Sequence, residues 1–338
     1  MKAVRRLILS RIIRAAALSL TFSAALAVAD TTLLNVSYDV SRELYKDINA
    51  AFEADWKATQ RGRITINQSH GGSSKQAQAI ASGLQADVVT MNQSPDIDYL
   101  ADNGLVATDW RQRFPHEATP YTTTTIFLVR KGNPKNIQDW HDLARDGLEV
   151  IVPNPKTSGN GRYSYLAAWG YALQTSGSED AALAFVKDLF ANVPVLDGGG
   201  RGATTTFTQR GMGDVLVTFE NEAILLAREL GDDKFDVVYP SLSIDASAPV
   251  AIVEKVTSKR GTEQQAKHYL DFLYSLEGQE IIARHYLRPR NAEILEKYSH
   301  HFPAIKTFKV EDTLGSWRDV GKKHFADGGI FDQVVENQ

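Results

Sequence analysis

The stretch QSHGGSSKQ (residues 68–76) places glycines and serines directly before a segment with the apolar periodicity of a helix. The same arrangement returns in NPKTSGNGR (154–162) and in LDGGGRGATTTF (196–207). A glycine- and serine-rich loop that opens a helix directs several backbone N–H groups at one point, where the helix dipole adds partial positive charge. Three such loops, almost without acidic residues, predict a closed pocket for a small anion.

Outside the loops, short apolar strand patterns alternate with helical patterns, which is typical of α/β folds. The sequence predicts strands at 32–39, 64–66, 86–91, 126–132, 150–153, 214–219 and 249–255, helices at 41–58, 77–84, 163–173 and about 180–190, and mainly helical structure from about 262. Strands 126–132 and 249–255 are expected to cross between two lobes. The pattern therefore predicts two α/β lobes around a hinged cleft that closes on a ligand.

The N-terminus has the pattern of an export signal. Five basic residues and no acidic residue fall within residues 1–14, and AAALSLTFSAAL (15–26) is an apolar run too short to span a bilayer. Ala27-Val28-Ala29 is a small-x-small cleavage motif. We expect residues 1–29 to be removed after Ala29, so that a periplasmic protein begins at Asp30; a membrane anchor is the alternative.

Composition limits the partners and the chemistry. The 338 residues are 43% hydrophobic and 23% charged, a globular composition with enough length for two lobes. Loss of residues 1–29 takes five of the 37 basic residues and none of the 41 acidic ones, which leaves a net charge of −9. That charge argues against a nucleic-acid partner. An anion would have to be bound by local dipoles rather than by net charge.

No cofactor, metal site or catalytic group is predicted. The chain has no Cys, which excludes disulfides, thiolate metal sites and a lipid anchor on cysteine. The adjacent His300 and His301 are not a helical metal pair, and a formal dinucleotide fingerprint at 198–203 is a lone match in an exported chain. No activated nucleophile or metal stands near the loops, so we expect a binding protein rather than an enzyme.

Each loop offers hydrogen-bond donors. Ser73 follows Gly71 and Gly72, and it can contribute an N–H and a hydroxyl or act as an ordinary N-cap. In the second loop Thr157 and Ser158 offer hydroxyls, and Gly159 and Asn160 offer N–H groups, although a plain strand–helix turn has the same composition.

The third loop stacks Gly198, Gly199 and Gly200 before Arg201. Arg201 can touch the anion or pair with a carboxylate and brace the loop. We favour bracing, because a backbone cradle beside a helix end already supplies the donors.

The chain resembles the periplasmic sulfate- and thiosulfate-binding proteins of ABC importers over essentially its whole mature length. The resemblance is carried by SYDVSREL (37–44), QSHGGSSKQA (68–77), FLVRKGNPKNI (127–137), PNPKTSGNGRYSYLAAWG (153–170), GGRGATTTF (199–207) and GDVLVTFENEA (213–223). It implies a two-lobed, type II periplasmic-binding fold. We place lobe 1 at residues 30–122 and 253–338 and lobe 2 at 123–252.

The resemblance also implies which residues contact the anion: Ser73 from the first loop, Ser158, Gly159 and Asn160 from the second, and Gly200 from the third. Gly72, Thr157 and Arg201 would support them. Asp39 lies near the cleft in this family, although it can equally cap the helix that begins near Ser41.

Phe219 departs from the sulfate-binding pattern. The sulfate branch has a tryptophan at this position, and its indole N–H reaches the anion, whereas phenylalanine cannot donate a hydrogen bond. The second and third loops also look more like the thiosulfate branch. We therefore hypothesise that Phe219 relaxes the pocket toward thiosulfate and keeps sulfate binding; a core residue without any contact is the alternative.

The sequence thus predicts a monomeric protein that captures thiosulfate and sulfate and delivers them to the permease subunits of an ABC transporter in the inner membrane. Three alternatives stay open. The anion can be another tetrahedral oxyanion such as molybdate or tungstate. The chain can be an exported hydrolase of sulfate or phosphate esters, or a sensory protein that serves a membrane receptor.

Overall fold

The computed structural model describes residues 30–59, 62–231 and 233–336, and the predicted export signal lies outside these ranges. The strands are β1 (Thr31–Tyr38), β2 (Ile64–Gly71), β3 (Val88–Thr90), β4 (Tyr121–Arg130), β5 (Val150–Pro153), β6 (Leu196–Asp197), β7 (Val215–Phe219), β8 (Phe235–Val238), β9 (Ser243–Ala248), β10 (Val250–Ile252), β11 (Arg288–Pro289) and β12 (Thr307–Phe308).

The helices are α1 (Arg42–Ala58), α2 (Ser73–Ala81), α3 (Ser94–Asp102), α4 (Gly159–Ser176), α5 (Glu179–Ala191), α6 (Gly200–Thr208), α7 (Glu220–Glu229), α8 (Glu254–Arg260), α9 (Glu263–Phe272), α10 (Leu276–Arg284), α11 (Ala292–Lys297), α12 (Val310–Thr313), α13 (Trp317–Val320) and α14 (Ile330–Val335). Short 3₁₀ turns lie at Asp39–Ser41, Trp110–Gln112, Trp140–Ala144 and Ser299–His301, a further single turn lies at Pro115–Ala118, and a π-helical turn lies at Gly321–Phe325. Over the described ranges, none of the helices combines the length and the apolar character that a membrane span requires.

The first sheet has the strand order β10-β3-β1-β2. β1 pairs in parallel with β2 and β3, and β10 closes one edge in the antiparallel direction. The stripe predicted on α1 is buried, with Leu44, Ile48, Phe52 and Trp56 in the core. The carboxyl ends of β2 and β3 lead into α2 and α3, so these helices begin at the same edge of the sheet, where α/β proteins bind ligands.

The second sheet has the order β12-β9-β4-β7-β5-β6, with β8 and β11 also paired to β4. β5 runs parallel to both β6 and β7, and β4 runs antiparallel to β7. Because β5, β6 and β7 are parallel, the helices that follow them (α4, α6 and α7) all begin at one edge of this sheet.

The chain crosses between the sheets differently from the prediction. β4 begins five residues before the predicted strand, because the threonines from Thr122 pair with β9 through their backbone. The predicted strand 249–255 is divided: β9 ends in the second sheet at Ala248, and β10 begins in the first sheet at Val250. Pro249 stands between them, and since proline has no N–H to donate, pairing in one sheet ends there.

The predicted lobe boundaries remain a proposal, and two segments pack differently from that assignment. Residues 250–252, placed by the sequence in lobe 2, pair with β3 of the first sheet. The C-terminal segment from α13 to α14, placed in lobe 1, packs on α4 and α5 of lobe 2, where the rings of Phe331 and Phe190 lie 5.4 Å apart. α4 is buried on nearly all its sides, so its outer face needs a cover, and the C-terminal segment provides it.

His324 joins this cover to α4. Its Nδ1 lies 2.9 Å from the hydroxyl oxygen of Tyr165, and its ring lies against Trp169 at a centroid distance of 4.7 Å. Burial, with a smaller contribution from the neighbouring Lys323 charge, lowers the pKa of His324 to about 4. The folded protein therefore holds this imidazole neutral.

We predict that His324 makes the protein acid-sensitive. As the pH falls below 6.5, the ordinary pKa of histidine, this imidazole becomes protonated in the unfolded chain but stays neutral in the folded chain. The free energy of unfolding therefore decreases between pH 6.5 and about 4, by up to ~3 kcal/mol. Chemical denaturation of the wild type and of His324→Gln across this pH range measures the effect. The variant should have the shallower pH dependence, and equal slopes would contradict the prediction.

Candidate functional site

The three loops predicted from the sequence meet at the cleft between the two sheets. Gly72 of the first loop abuts the other two: a Cβ on Gly72 would lie 2.6 Å from the carbonyl oxygen of Thr157 and 3.2 Å from that of Gly198. The Thr157 hydroxyl donates to the Gly198 carbonyl at 3.1 Å, which ties the second loop to the third. The lobes are thus closed on each other, and only glycine fits at residue 72 without displacing this contact.

The first loop presents Ser73 at the start of α2. The first backbone hydrogen bond of the helix runs from Gln76 N to Gly72 O at 3.0 Å, so the N–H groups of the residues between them have no intrahelical acceptor. Ser73 is fully buried, and its Oγ has only long contacts: 3.5 Å to Met91 Sδ and 3.4 Å from Asn92 N. A buried hydroxyl with such weak partners has donor capacity left for a ligand.

The second loop presents Ser158, Gly159 and Asn160 at the start of α4, all of them buried. The Ser158 hydroxyl accepts from Gly161 N at 3.3 Å, and Ser158 O accepts the first backbone bond of the helix from Arg162 N at 2.9 Å. The N–H groups of Gly159 and Asn160 precede that bond. Ser158 is therefore an N-cap in the structure, and the donors that follow it face the cleft edge.

Asn160 is also held from the side. Its Nδ2 donates to the hydroxyl of Thr218 on β7 at 2.9 Å, and its Oδ1 accepts from Ser164 Oγ at 3.4 Å. The side chain is satisfied inside lobe 2, so the backbone N–H is the group that Asn160 has left to offer.

The third loop presents Gly200 at the start of α6. A Cβ on Gly200 would lie 2.9 Å from both Asn160 Nδ2 and Val40 Cγ1, so glycine permits contact with both lobes here. The first backbone bond of α6 runs from Ala203 N to Gly199 O at 3.2 Å. The N–H of Gly200 is thus another donor without an intrahelical acceptor.

Asp39 connects the lobes. Its Oδ2 accepts from Arg201 N at 3.0 Å across the cleft, and its Oδ1 accepts from Val40 N at 3.1 Å. The carboxylate therefore holds the third loop in place. Asp39 does not cap α1, because no side chain accepts a hydrogen bond at the start of that helix.

The Arg201 side chain lies among carboxylates. Its guanidinium donates to Glu43 Oε2 of the opposite lobe at 2.8 Å and lies 3.7 Å from Glu222 Oε1. Glu222 is buried and also accepts from the Thr204 hydroxyl at 2.9 Å. Burial raises the pKa of Glu222 to about 7, against the opposing effects of Arg201 and Thr204. The positive charge of Arg201 is neutralised by these carboxylates. This is the pairing expected of an Arg201 that braces the third loop, the role that the sequence favoured.

Phe219 is the last residue of β7 and is buried. Its ring lies 6.0 Å from that of Tyr163 on α4, which in turn packs edge-on against Trp317 at 5.4 Å. The Phe219 side chain thus packs in an aromatic cluster with α4. The residue before it, Thr218, accepts the hydrogen bond from the Asn160 side chain.

A large cavity near the cleft is a different feature. It has a volume of about 670 Å³ and is lined by Tyr163, Asp245, Arg290, Lys309 and Trp317, among others, and by none of the predicted anion contacts. Its size suits a drug-sized molecule rather than a tetrahedral anion. Among the described residues no group of three His, Cys, Asp or Glu side chains is arranged to hold a metal ion.

Sequence reasoning missed Asn92, which follows β3 and contacts the first loop through its N–H. A polar residue directly after a buried strand at the ligand edge of a sheet was the available signal.

Two α/β lobes that close three helix N-termini around one point define a solute-binding protein, with the type II periplasmic-binding fold. The chain belongs to the family of bacterial extracellular solute-binding proteins, whose sequence profile matches residues 34–288.

Individual relatives agree with this family. The chain is 59% identical over 309 residues to the thiosulfate-binding protein of Pseudomonas aeruginosa, covering 91% of this chain and 93% of that one. It is 52% identical over 306 residues to the sulfate-binding protein of Escherichia coli, covering 90% and 93%. The solved structure of a sulfate-binding protein from Mycobacterium tuberculosis superposes with a TM-score of 0.80 at 32% identity, covering 87% of this chain and 99% of that one. The family is one of binding proteins rather than enzymes.

We predict that Gly72→Ala prevents closure of the lobes, because its Cβ would meet two carbonyl oxygens of lobe 2. Small-angle X-ray scattering with thiosulfate present should give a larger radius of gyration for this variant than for the wild type. Gly71→Ala is the matched control, since a Cβ there comes no closer than 3.4 Å to the Gln76 side chain. Wild-type compaction in Gly72→Ala would contradict the prediction.

Proposed function

We propose that this chain is a periplasmic binding protein that captures thiosulfate and sulfate as dehydrated dianions between its lobes and delivers them to an ABC permease. The observation that carries the proposal is the convergence of α2, α4 and α6, whose first-turn N–H groups have no intrahelical acceptors. The relatives named as thiosulfate- and sulfate-binding proteins, at 59% and 52% identity, support the choice of anion over molybdate, tungstate or an ester substrate.

The anion contacts that we propose are Ser73, Ser158, Gly159, Asn160 and Gly200, with Gly72, Thr157, Asp39 and Arg201 in support. They supply hydroxyl and backbone N–H donors at helix ends, where negative charge is favoured. The charged groups nearby pair with other protein groups: the Asp39 carboxylate accepts from Arg201 N, and the Arg201 guanidinium pairs with Glu43 and Glu222. The dianion would therefore be stabilised by local dipoles without a countercharge of its own.

The proposed location and partners follow from the export signal and from the family. Cleavage after Ala29 would release a free periplasmic protein, and lobe closure needs no second copy, so we propose a monomer that docks on the permease. The two lobes would be residues 30–122 with 253–338, and 123–252, apart from the two segments described above.

We predict strong discrimination against phosphate. Sulfate and thiosulfate carry no proton at neutral pH and only accept hydrogen bonds. Hydrogen phosphate has an O–H, for which the proposed contacts aim no carboxylate inward, and burying that O–H unpaired costs about 1–3 kcal/mol. Calorimetric titration of residues 30–338 with thiosulfate, sulfate and phosphate tests this. Heat with both sulfur anions and none with phosphate is expected, and no heat with either sulfur anion would refute the proposed function.

We further propose that Phe219 sets the balance between the two anions. The terminal sulfur of thiosulfate is larger and a weaker acceptor than oxygen, so an aromatic wall accommodates it better than a fixed N–H would. Phe219→Trp should lower the ratio of thiosulfate to sulfate affinity in the same titrations. Phe235→Trp, at a buried ring packed on Phe207 near the C-terminal end of α6, is the control. An unchanged ratio in Phe219→Trp would show that this ring is only a core residue.

A further inference from the structure

Asn92 lies between the first two loops. It follows β3, is 3% exposed, and donates from its backbone N–H to Ser73 Oγ at 3.4 Å. Its side chain reaches the opposite lobe: a Cβ on Gly159 would collide with the Asn92 amide, with Oδ1 only 1.8 Å and Nδ2 2.8 Å away. Asn92 therefore touches two proposed anion contacts, one from each lobe: Ser73 through its backbone N–H and Gly159 through its side-chain amide.

The Asn92 amide lacks protein partners. Its Oδ1 is fully buried and accepts no hydrogen bond. None of the hydrogen bonds among the described residues involves its Nδ2. Other buried asparagines have partners for their amides: Asn35 with Tyr269, Asn49 with Tyr269, and Asn160 with Thr218. An oxyanion cannot satisfy Oδ1, which only accepts hydrogen bonds, but it can satisfy the two N–H groups of Nδ2.

The chemistry of the site indicates which end of the amide a ligand would use. A dianion beside Ser73 and Gly159 repels the amide oxygen and attracts the NH₂ group, which has two donors. Oδ1 is the amide atom nearest to Gly159, 1.8 Å from the position of a Cβ there, and Nδ2 lies farther from the same position, at 2.8 Å.

We propose that Asn92 is a further anion-binding residue, whose Nδ2–H donates to the bound oxyanion. The assignment rests on the proposed function and adds a side-chain donor from β3 to the donors of the three loops. Unlike a backbone N–H, this donor moves about two side-chain torsions. It can therefore follow either an oxygen of sulfate or the larger sulfur of thiosulfate.

Asn92→Leu tests the assignment, because leucine keeps the branched shape and removes both amide groups. Loss of a hydrogen bond to a charged ligand should weaken binding of both anions by about 10- to 100-fold in calorimetric titration. The melting temperature without anion should stay the same or rise, since an unpartnered buried carbonyl is replaced by apolar surface. A residue that only supports the fold would show the opposite: lower stability and unchanged affinity.

Asn49→Leu is the matched control. The same side chain lies buried in α1 of the same lobe, and its Oδ1 accepts from the Tyr269 hydroxyl at 2.6 Å. This variant should lose stability and keep wild-type affinity for the anions.

Asn92→Asp supplies a charge test with the same shape. A carboxylate in contact with a dianion should weaken binding at pH 7 by at least about a further tenfold relative to Asn92→Leu. Wild-type affinity in either Asn92 variant would overturn the assignment and leave the proposed function intact. If the wild type itself gives no heat with either anion, the proposed function fails, and this assignment fails with it.

Discussion

The contact of three helix N-termini across a closed cleft is the constraint on which the rest of this structure depends. α2 comes from one lobe, and α4 and α6 come from the other, yet their first residues approach within van der Waals distance. Glycine at 72, 159 and 200 makes this possible, because a Cβ at any of these positions would overlap atoms of the opposite loops or lobe. Each helix then leaves backbone N–H groups unpaired at the point where its dipole is positive.

Charged residues around the cleft serve the contact between the lobes. The Asp39 carboxylate accepts hydrogen bonds from Val40 N and Arg201 N. The Arg201 guanidinium donates to Glu43 and forms an ion pair with Glu222. Glu43 and Arg201 are both partly exposed, so their ion pair adds little stability by itself, but it forms only when the lobes close. A net-negative protein can in this way offer a local site for an anion, because oriented dipoles supply the attraction.

Much of the fold was predictable from local pattern. β5 coincides with the predicted 150–153, α1 and β7 each begin one residue after their predictions, and α5 extends about one residue beyond its prediction at each end. These elements have a clear apolar period or run, bounded by capping or turn residues. The larger differences lie at the loops, where β2 continues five residues past the predicted strand and α2 and α4 each begin four residues before the predicted helices. Others fall where the pattern is ambiguous. The threonines that begin β4 are polar by composition but β-branched, and the apolar run at 249–255 contains the proline at which the chain changes sheet.

The sequence by itself determined the α/β class, the three loops and the donors that each loop can offer, because loop glycines and helix starts are local features. Only the tertiary structure decided which groups meet. It gave Asp39 a partner 162 residues away in Arg201, and it covered α4 with the C-terminal segment rather than leaving that segment on lobe 1. It also set the Asn92 amide against Gly159. Contacts of this kind depend on how two sheets are placed relative to each other, and neither the period nor the composition of a short segment carries that information.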